Sequence, residues 1–273
     1  IIPYNELYDY SKFKKKEIYL MRFFNPKKLE FYLKNLFQLS DAFLLKRRAN
    51  RYLKKNTEKE IRVLSQLVNS SKASIDIGVY RGIYSFFLTD LTSYVYAFEA
   101  NPLLHSKIQN SFKNKKNIKI ENVAISSSTG ETELRIPLRD INADYDNEQK
   151  YRLGTATIHD VNNLENKQFE TIKKIKTISL DEYDFNHEIG FVKIDVEGHE
   201  HDIIKGGTQF ILKNKPVMLI EIEKRHSGID PQITIDEIKS LGYKCLYVNN
   251  DFELKTVSKV EDISNNNFVF IPE

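Results

Sequence analysis

Two hydrophobic rhythms divide the chain, and the change falls near residue 73. Before it, in LEFYLKNLFQLSDAFLLKRRANRYL (29–53), Leu29, Leu33, Leu36, Phe37, Phe43 and Leu44 recur at mostly helical spacing. A second helix is predicted from Thr57, because Thr57 and Glu60 have the spacing of a capping box and Ile61, Leu64 and Val68 form an apolar stripe. From Ala73 onward the apolar runs become short and nearly continuous: ASIDI (73–77), YVYAFE (94–99), NIKIEN (117–122), GFVKID (190–195) and PVMLIEI (216–222). Such runs suit strands covered on both faces, as in a parallel sheet. Helices fit between them. Asn101-Pro102 and Asp230-Pro231 each supply a cap and a first-turn proline, and Gly242 closes the helix that begins at Pro231. YKCLYVN and NFVFIP add two strands at the end. This alternation predicts an α/β fold with a doubly wound, mostly parallel sheet.

The interval 123–189 interrupts the rhythm. It holds strand-like pieces (ETELRIPL, GTATI, IKKIKTISL) and a polar loop, DINADYDNEQK. Residues 131–180 therefore read as an insertion, expected to fold over the open side of the sheet. GTATI (154–158) and the loop around Tyr145 and Tyr151 would either shape the acceptor's surroundings or form a structural hairpin. The domain reading is a basic helical extension at 1–56 and a single α/β domain at 57–273.

Composition narrows the class. The chain has 273 residues, 41% of them hydrophobic, enough for one large α/β domain with an appendage. No run reaches the roughly 18–20 apolar residues of a membrane span, and no basic-then-apolar signal segment opens the chain. It begins with Ile rather than Met, compatible with a trimmed product. The single cysteine, Cys245, sits in an apolar stretch, which excludes an internal disulfide framework and fits a reducing, cytoplasmic setting. Net charge is +3, but residues 1–60 hold 15 Lys+Arg against 7 Asp+Glu while the remainder holds 26 against 31. The basic extension, with Tyr4, Tyr8, Tyr10, Phe13 and Tyr19 among its lysines, would suit peripheral contact with an anionic membrane, RNA stacking or packing on the domain.

The candidate chemistry begins in SIDIGVYRGIYSF (74–86). Asp76-Ile-Gly78 ends a strand and runs into a helix, where ligands of open parallel sheets bind. The spacing Gly78-x-x-x-Gly82 does not fit the dinucleotide fingerprint. Gly78 permits a tight turn, and Gly82 would let the following helix pack close to the strand. Glu99 ends the second strand 21 residues after Gly78, where a carboxylate can accept both ribose hydroxyls. NAD and S-adenosylmethionine share that ribose, so Glu99 does not choose between them.

The segment FVKIDVEGHE (191–200) does discriminate. Together with DIGVYRGIYS, VYAFEANP, NVAISSSTGETEL, SLDEY, FVKIDVEGHEHDIIKGG and PVMLIEIE, in that order across residues 74–223, it resembles the FkbM family of S-adenosylmethionine-dependent methyltransferases. The resemblance implies a class I, Rossmann-like methyltransferase fold whose last strand runs antiparallel. It also implies S-adenosylmethionine as cofactor and O-methylation of a sugar, glycan or other small metabolite. On the matching positions, Asp76, Gly78 and Gly82 would frame the methionine end, Glu99 and the adjoining Ala100 the ribose, and Asn122 and Val123 the adenine. Tyr80, beside Arg81, stands in the cofactor turn where such enzymes often have Gly or Asn, and would narrow it.

Methyl transfer to a hydroxyl needs a group to relieve its proton. Asp195, at the end of the fourth long strand, faces the pocket in such folds, and Glu197 and His199 follow it. These three are the catalytic candidates, His199 because an unperturbed imidazole titrates near pH 6.5. Lys193, inside an apolar strand, must meet a carboxylate. Asp195, Glu197 and His199 could instead approach a divalent cation, but no further ligand is fixed by spacing, so no metal is expected. Glu221, ending the next strand, either borders the acceptor or is a solvated strand end. DVEG, in place of an Asn/Asp-Pro-Pro-aromatic turn, argues against nucleobase amino methylation. Two alternatives stay open: an RNA ribose 2′-O-methyltransferase, with nucleic acid otherwise an unfavoured partner, and a non-catalytic cofactor-fold binding module. Oligomeric state is not encoded legibly.

Overall fold

The computed structural model describes residues 39–138, 155–158, 169–257 and 266–273. The helical pattern before residue 39 and the tyrosines at 145 and 151 lie outside them. The first described helix, α1 (Asp41–Lys55), starts where the Ser40 side chain accepts from the Phe43 N–H at 3.2 Å. Its Leu44, Leu45 and Ala49 are buried, whereas Phe43, expected on the apolar face, is exposed. Helix α2 (Glu60–Leu67) begins at Glu60, and its cap position, Lys59, makes no side-chain bond. The Thr57–Glu60 capping box is therefore not formed. Asn56 turns left-handed at φ 49°, and the Thr57 N–H donates to the Tyr52 carbonyl, so Thr57 completes the end of α1.

The strands fall where the apolar runs place them: β1 (Ala73–Ile77), β2 (Val95–Phe98), β3 (Ile118–Glu121), then β4 (Ala124–Ile125), β5 (Gly130–Pro137), β6 (Phe169–Ile178), β7 (Ile189–Ile194) and β8 (Val217–Glu221). After them come β9 (Tyr243–Val248), β10 (Leu254–Thr256) and β11 (Asn267–Pro272). Between strands lie α3 (Ile83–Leu91), α4 (Pro102–Phe112), α5 (Glu200–Lys205), α6 (Thr208–Asn214), α7 (Lys224–Ser227) and α8 (Pro231–Ser240). Asn101 and Asp230 cap α4 and α8 with their side chains, each followed by proline, and Gly242 follows α8 at φ 85°.

The main sheet has eight strands in the order β10-β9-β11-β8-β7-β1-β2-β3. Pairings among β3, β2, β1, β7 and β8 are parallel, and β11 slots antiparallel between β8 and β9. The strand order switches sides at β1, which pairs with β2 on one side and with β7 on the other, all three running parallel. Alternate residues serve alternate faces. Ile75, Ile77, Tyr96 and Phe98 pack towards α5, α6 and α8, while Val95, Ala97, Phe191 and Leu219 pack towards the layer of α1 to α4. A core this continuous on both faces explains why the strands read as unbroken apolar runs. Helix α1 joins the second layer through contacts with α3 and α4. A smaller sheet, β4-β6-β5, carries the described part of the insertion, with β5 and β6 antiparallel. Thr157 pairs with Arg135 of β5.

Candidate active site

The site is built at the carboxyl ends of β1, β2, β7 and β8. Gly78, just past β1, has φ 80°, and a Cβ there would lie 1.8 Å from the Asp195 carbonyl oxygen. The glycine thus admits the backbone that leaves β7, and the close approach is between two parts of this chain. Gly82, at φ 76°, caps α3 in the left-handed region, and its added Cβ would meet the Phe112 ring at 3.0 Å and Leu45 beyond. Its packing partners are therefore α4 and α1, not the strand as its spacing suggested.

Lys193 ties the two strand ends together. Its Nζ lies 3.0 Å from Asp195 Oδ2, 3.1 Å from the Gly78 carbonyl and 3.8 Å from Asp76 Oδ1. Burial alone would pull this ammonium's pKa down, but Asp195, Asp76 and Glu58 outweigh it and hold the pKa above the ordinary lysine value. Asp76 is fully buried and accepts from Ser85 Oγ at 2.5 Å. It props the strand end from behind and does not line the cavity. Burial raises its pKa, against the pull of Lys193.

Glu99, directly after β2, is 7% exposed. Its two oxygens accept from the Tyr80 N–H at 2.8 Å and the Asn101 N–H at 2.9 Å. Burial pushes its pKa up to about 7 despite those bonds. Tyr80 has φ 50°, a conformation that favours Gly or Asn, which is the physical content of its departure from the family pattern. Its ring stacks with the Arg81 guanidinium 5.1 Å from the centroid. Asn122 turns back, its side-chain amide donating to the carbonyls of Glu99 and Ala100 at 2.8 and 3.1 Å. It holds the strand exit, while Val123 and Ala100 reach the cavity wall.

The DVEG turn is folded by Glu200. That buried carboxylate accepts from the N–H groups of Gly198 at 3.0 Å and Val196 at 3.3 Å, and burial lifts its pKa to about 7. Glu197 takes φ 57° and Gly198 φ 109°. Thr157 fastens the turn from the insertion side, its hydroxyl donating to the Glu197 carbonyl at 3.0 Å. Burial, then the nearby Asp195 and Glu200 charges, push the Glu197 pKa up to about 8. Glu221 is raised further from the ordinary range by burial and by Asp195, with which it shares a hydrogen bond. His199 Nε2 pairs with Ser126 Oγ at 2.8 Å, and its Nδ1 lies 3.3 Å from an Asp202 carboxylate oxygen.

These groups surround a cavity of about 250 Å³. One side is apolar, with Phe98, Leu104, Val123, Ile125, Leu134 and Ile158; the other is acidic, with Glu58, Asp195, Glu197 and Glu221. Glu99 and Ala100 stand between them. Of the sequence candidates, Gly78, Tyr80, Glu99, Ala100, Val123, Asp195, Glu197 and His199 reach the cavity; Asp76, Gly82 and Asn122 support it from outside. Sequence reasoning missed Tyr52 and Glu58: Tyr52 lies in the basic lead-in, and Glu58 falls inside a segment read only as a helix start. It also missed Glu200 as the turn's organiser, although its place two residues after a glycine was visible. Among the described residues, no group of three or more His, Cys, Asp or Glu side chains is arranged to hold a metal ion.

The donor set fits S-adenosylmethionine. An apolar wall suits adenine, a buried carboxylate at the middle has spare lone pairs for ribose hydroxyls, and an acidic floor suits a sulfonium and an ammonium. Sheet order and strand-end site together define a class I methyltransferase. The model of the methyltransferase FkbM domain matches residues 76–245, and the chain belongs to that family of S-adenosylmethionine-dependent methyltransferases. Among solved structures, it is similar to methyltransferase FkbM from Methylobacillus flagellatus KT, at 13% identity and TM-score 0.44, over 74% of this chain but only 43% of that one. It is also similar to SMU.1697c of Streptococcus mutans in complex with SAH (12%, TM-score 0.41, 77% and 93% of the chains). A third likeness is to the SAM-dependent O-methyltransferase TM0748 from Thermotoga maritima (11%, TM-score 0.40, 78% and 63%). No curated protein matches by sequence.

Proposed function

We propose that the chain transfers a methyl group from S-adenosylmethionine to a hydroxyl of a sugar, glycan or other small polyhydroxylated metabolite. The observation that carries this reading is the Asp195–Glu221 carboxyl pair on the cavity floor, backed by Lys193. When bound, the cofactor supplies a methyl group made electrophilic by sulfonium. A sugar hydroxyl is a poor nucleophile, so the chain must accept its proton. Lys193 keeps Asp195 oriented at 3.0 Å. Burial and the neighbouring Asp195 hold the Glu221 carboxyl well above the usual carboxylate range, and Asp195, oriented by Lys193, is placed to receive the hydroxyl proton. His199 is turned to Ser126 and Asp202 and serves to hold the turn. Glu197, on the same acidic side, is placed to bond neighbouring hydroxyls of the acceptor.

An acidic floor repels phosphates, which weighs against an RNA acceptor. The test is incubation with S-adenosylmethionine and a panel of sugars, nucleotide sugars and glycans, read by product mass. The expected outcome is a product heavier by one methyl replacing hydrogen, formed at least about a hundredfold more slowly with Asp195→Asn. Methylation of RNA ribose in place of every sugar would overturn the acceptor class.

A further inference from the structure

Glu58 lies outside the family match, which begins at residue 76, yet its side chain lines the cavity. It sits in the short connection between α1 and α2, so this connection, with Tyr52 of α1, lines part of the site. Tyr52 of α1 stands beside it: burial and Glu58 raise the Tyr52 pKa, and Arg81 and Tyr80 act on the same hydroxyl. This places Glu58 across the Gly78–Gly82 loop, on the side of the cavity away from adenine's apolar wall. Burial is the larger influence on this carboxyl and favours its neutral form, and an arriving ammonium would draw it towards the charged one. Burial raises the Glu58 pKa, while Lys193 and the Tyr84 hydroxyl favour its charged form.

The polarity of the cavity fixes which end of the cofactor goes where. Adenine needs the apolar side and the ribose needs Glu99, so the amino-acid arm must run towards β1 and the acidic side. That arm ends in an ammonium and needs an acceptor. Asp195 and Glu221 are held to each other and to Lys193, and Glu197 is assigned above to the acceptor's hydroxyls; Glu58, whose neighbours are the Tyr84 hydroxyl and Lys193, is the remaining lining glutamate beside the Gly78–Gly82 loop. We infer that Glu58, supplied by the connection between α1 and α2, is the residue that receives the α-ammonium of the cofactor's methionine arm. This rests on the S-adenosylmethionine reading above. It makes that connection part of the cofactor site and gives the 41–60 segment a binding role.

The test compares two ligands that differ only in that arm. S-adenosylhomocysteine carries it; 5′-methylthioadenosine has the adenosine and sulfur without the amino acid. In calorimetric titrations of the full chain, Glu58→Gln should weaken S-adenosylhomocysteine by about ten- to a hundredfold, as expected for one charge-assisted bond. Its affinity for 5′-methylthioadenosine should stay unchanged, which also shows that the variant is folded. In the wild type, S-adenosylhomocysteine should lose more affinity than 5′-methylthioadenosine as pH falls, because Glu99 serves both ligands, and that excess should vanish in Glu58→Gln. Equal losses for both ligands, or no loss for either while the wild type binds both, would overturn the role of Glu58 alone. A wild-type chain that binds neither would overturn the cofactor reading as well.

Discussion

Asp195 and Glu99 hold the two ends of the chemistry, and each makes a separate prediction. Asp195→Asn keeps size and removes the charge that accepts the proton. Turnover on a verified acceptor should fall by roughly 10²–10⁴, with S-adenosylhomocysteine affinity little changed. Lys193 still faces Asp76 in that variant, so the fold should persist. Near-normal turnover would remove Asp195 from the mechanism. Glu99→Ala should lower cofactor affinity by about ten- to a few hundredfold, since two charge-assisted bonds are lost and water recovers part of them. Gly78→Ala tests a different matter, the contact between strand ends. A Cβ 1.8 Å from a backbone oxygen, at φ 80°, demands movement of β1 or β7. A stability loss of about 4 kcal/mol or more in denaturant unfolding is expected; a loss under about 1 kcal/mol would mean that the turn relaxes freely.

At the scale of elements, the long strands were legible because burial on both faces leaves a simple mark: an unbroken apolar run closed by a polar residue. Asp76, Glu99, Asp195 and Glu221 are the polar residues on or just past such runs, which is why four of the site's carboxylates could be named from sequence. Glu58 could not, since it ends no strand and belongs to no periodic pattern. The capping box failed for a related reason: Thr57 had two helices to serve, and the backbone gave it to the first. The role of Gly82 was misplaced because a sequence shows which backbone turns but not which ring lies over it. Helix α1 also changes what truncation should do. Leu45 and Ala49 are buried among residues of α3 and α4. Deleting residues 1–38 should leave cofactor affinity unchanged. Deleting 1–55 should lower the melting temperature and cofactor affinity together, because Leu45, Ala49 and Tyr52 go with it. A 1–55 deletion with wild-type stability would show that α1 is dispensable to the core.

For the whole molecule, the acidic side of the cavity couples binding, stability and pH. Glu99 and Glu200 titrate at about 7 and Glu197 at about 8, above the ordinary glutamate value of 4.5. A carboxyl whose folded pKa is raised binds its proton more tightly in the folded chain. Its contribution is full below pH 4.5 and is lost as pH rises through 7 to 8. The ligand-free chain should therefore melt at a lower temperature at about pH 8.5 than at about pH 5.5. A cationic cofactor should recover more of that loss than a neutral one. A melting temperature that climbs steadily across the same range would contradict the protonated-cavity picture. No helix among the described residues is long and apolar enough to cross a membrane. The excess of basic residues in 1–60 leaves peripheral contact with anionic lipid as a proposal, checked by vesicle pelleting of the 1–38 deletion against the full chain.

The central claim is that the strand-end cavity of this chain holds S-adenosylmethionine. Calorimetric titration of the full-length wild type with S-adenosylmethionine and, separately, with NAD tests it most directly. Glu99 could accept the ribose of either, but the acidic groups Glu58, Asp195, Glu197 and Glu221 among the described lining residues repel a pyrophosphate. Saturable binding of one S-adenosylmethionine per chain is expected, with no heat from NAD beyond dilution. Saturable binding of NAD with none of S-adenosylmethionine would contradict it.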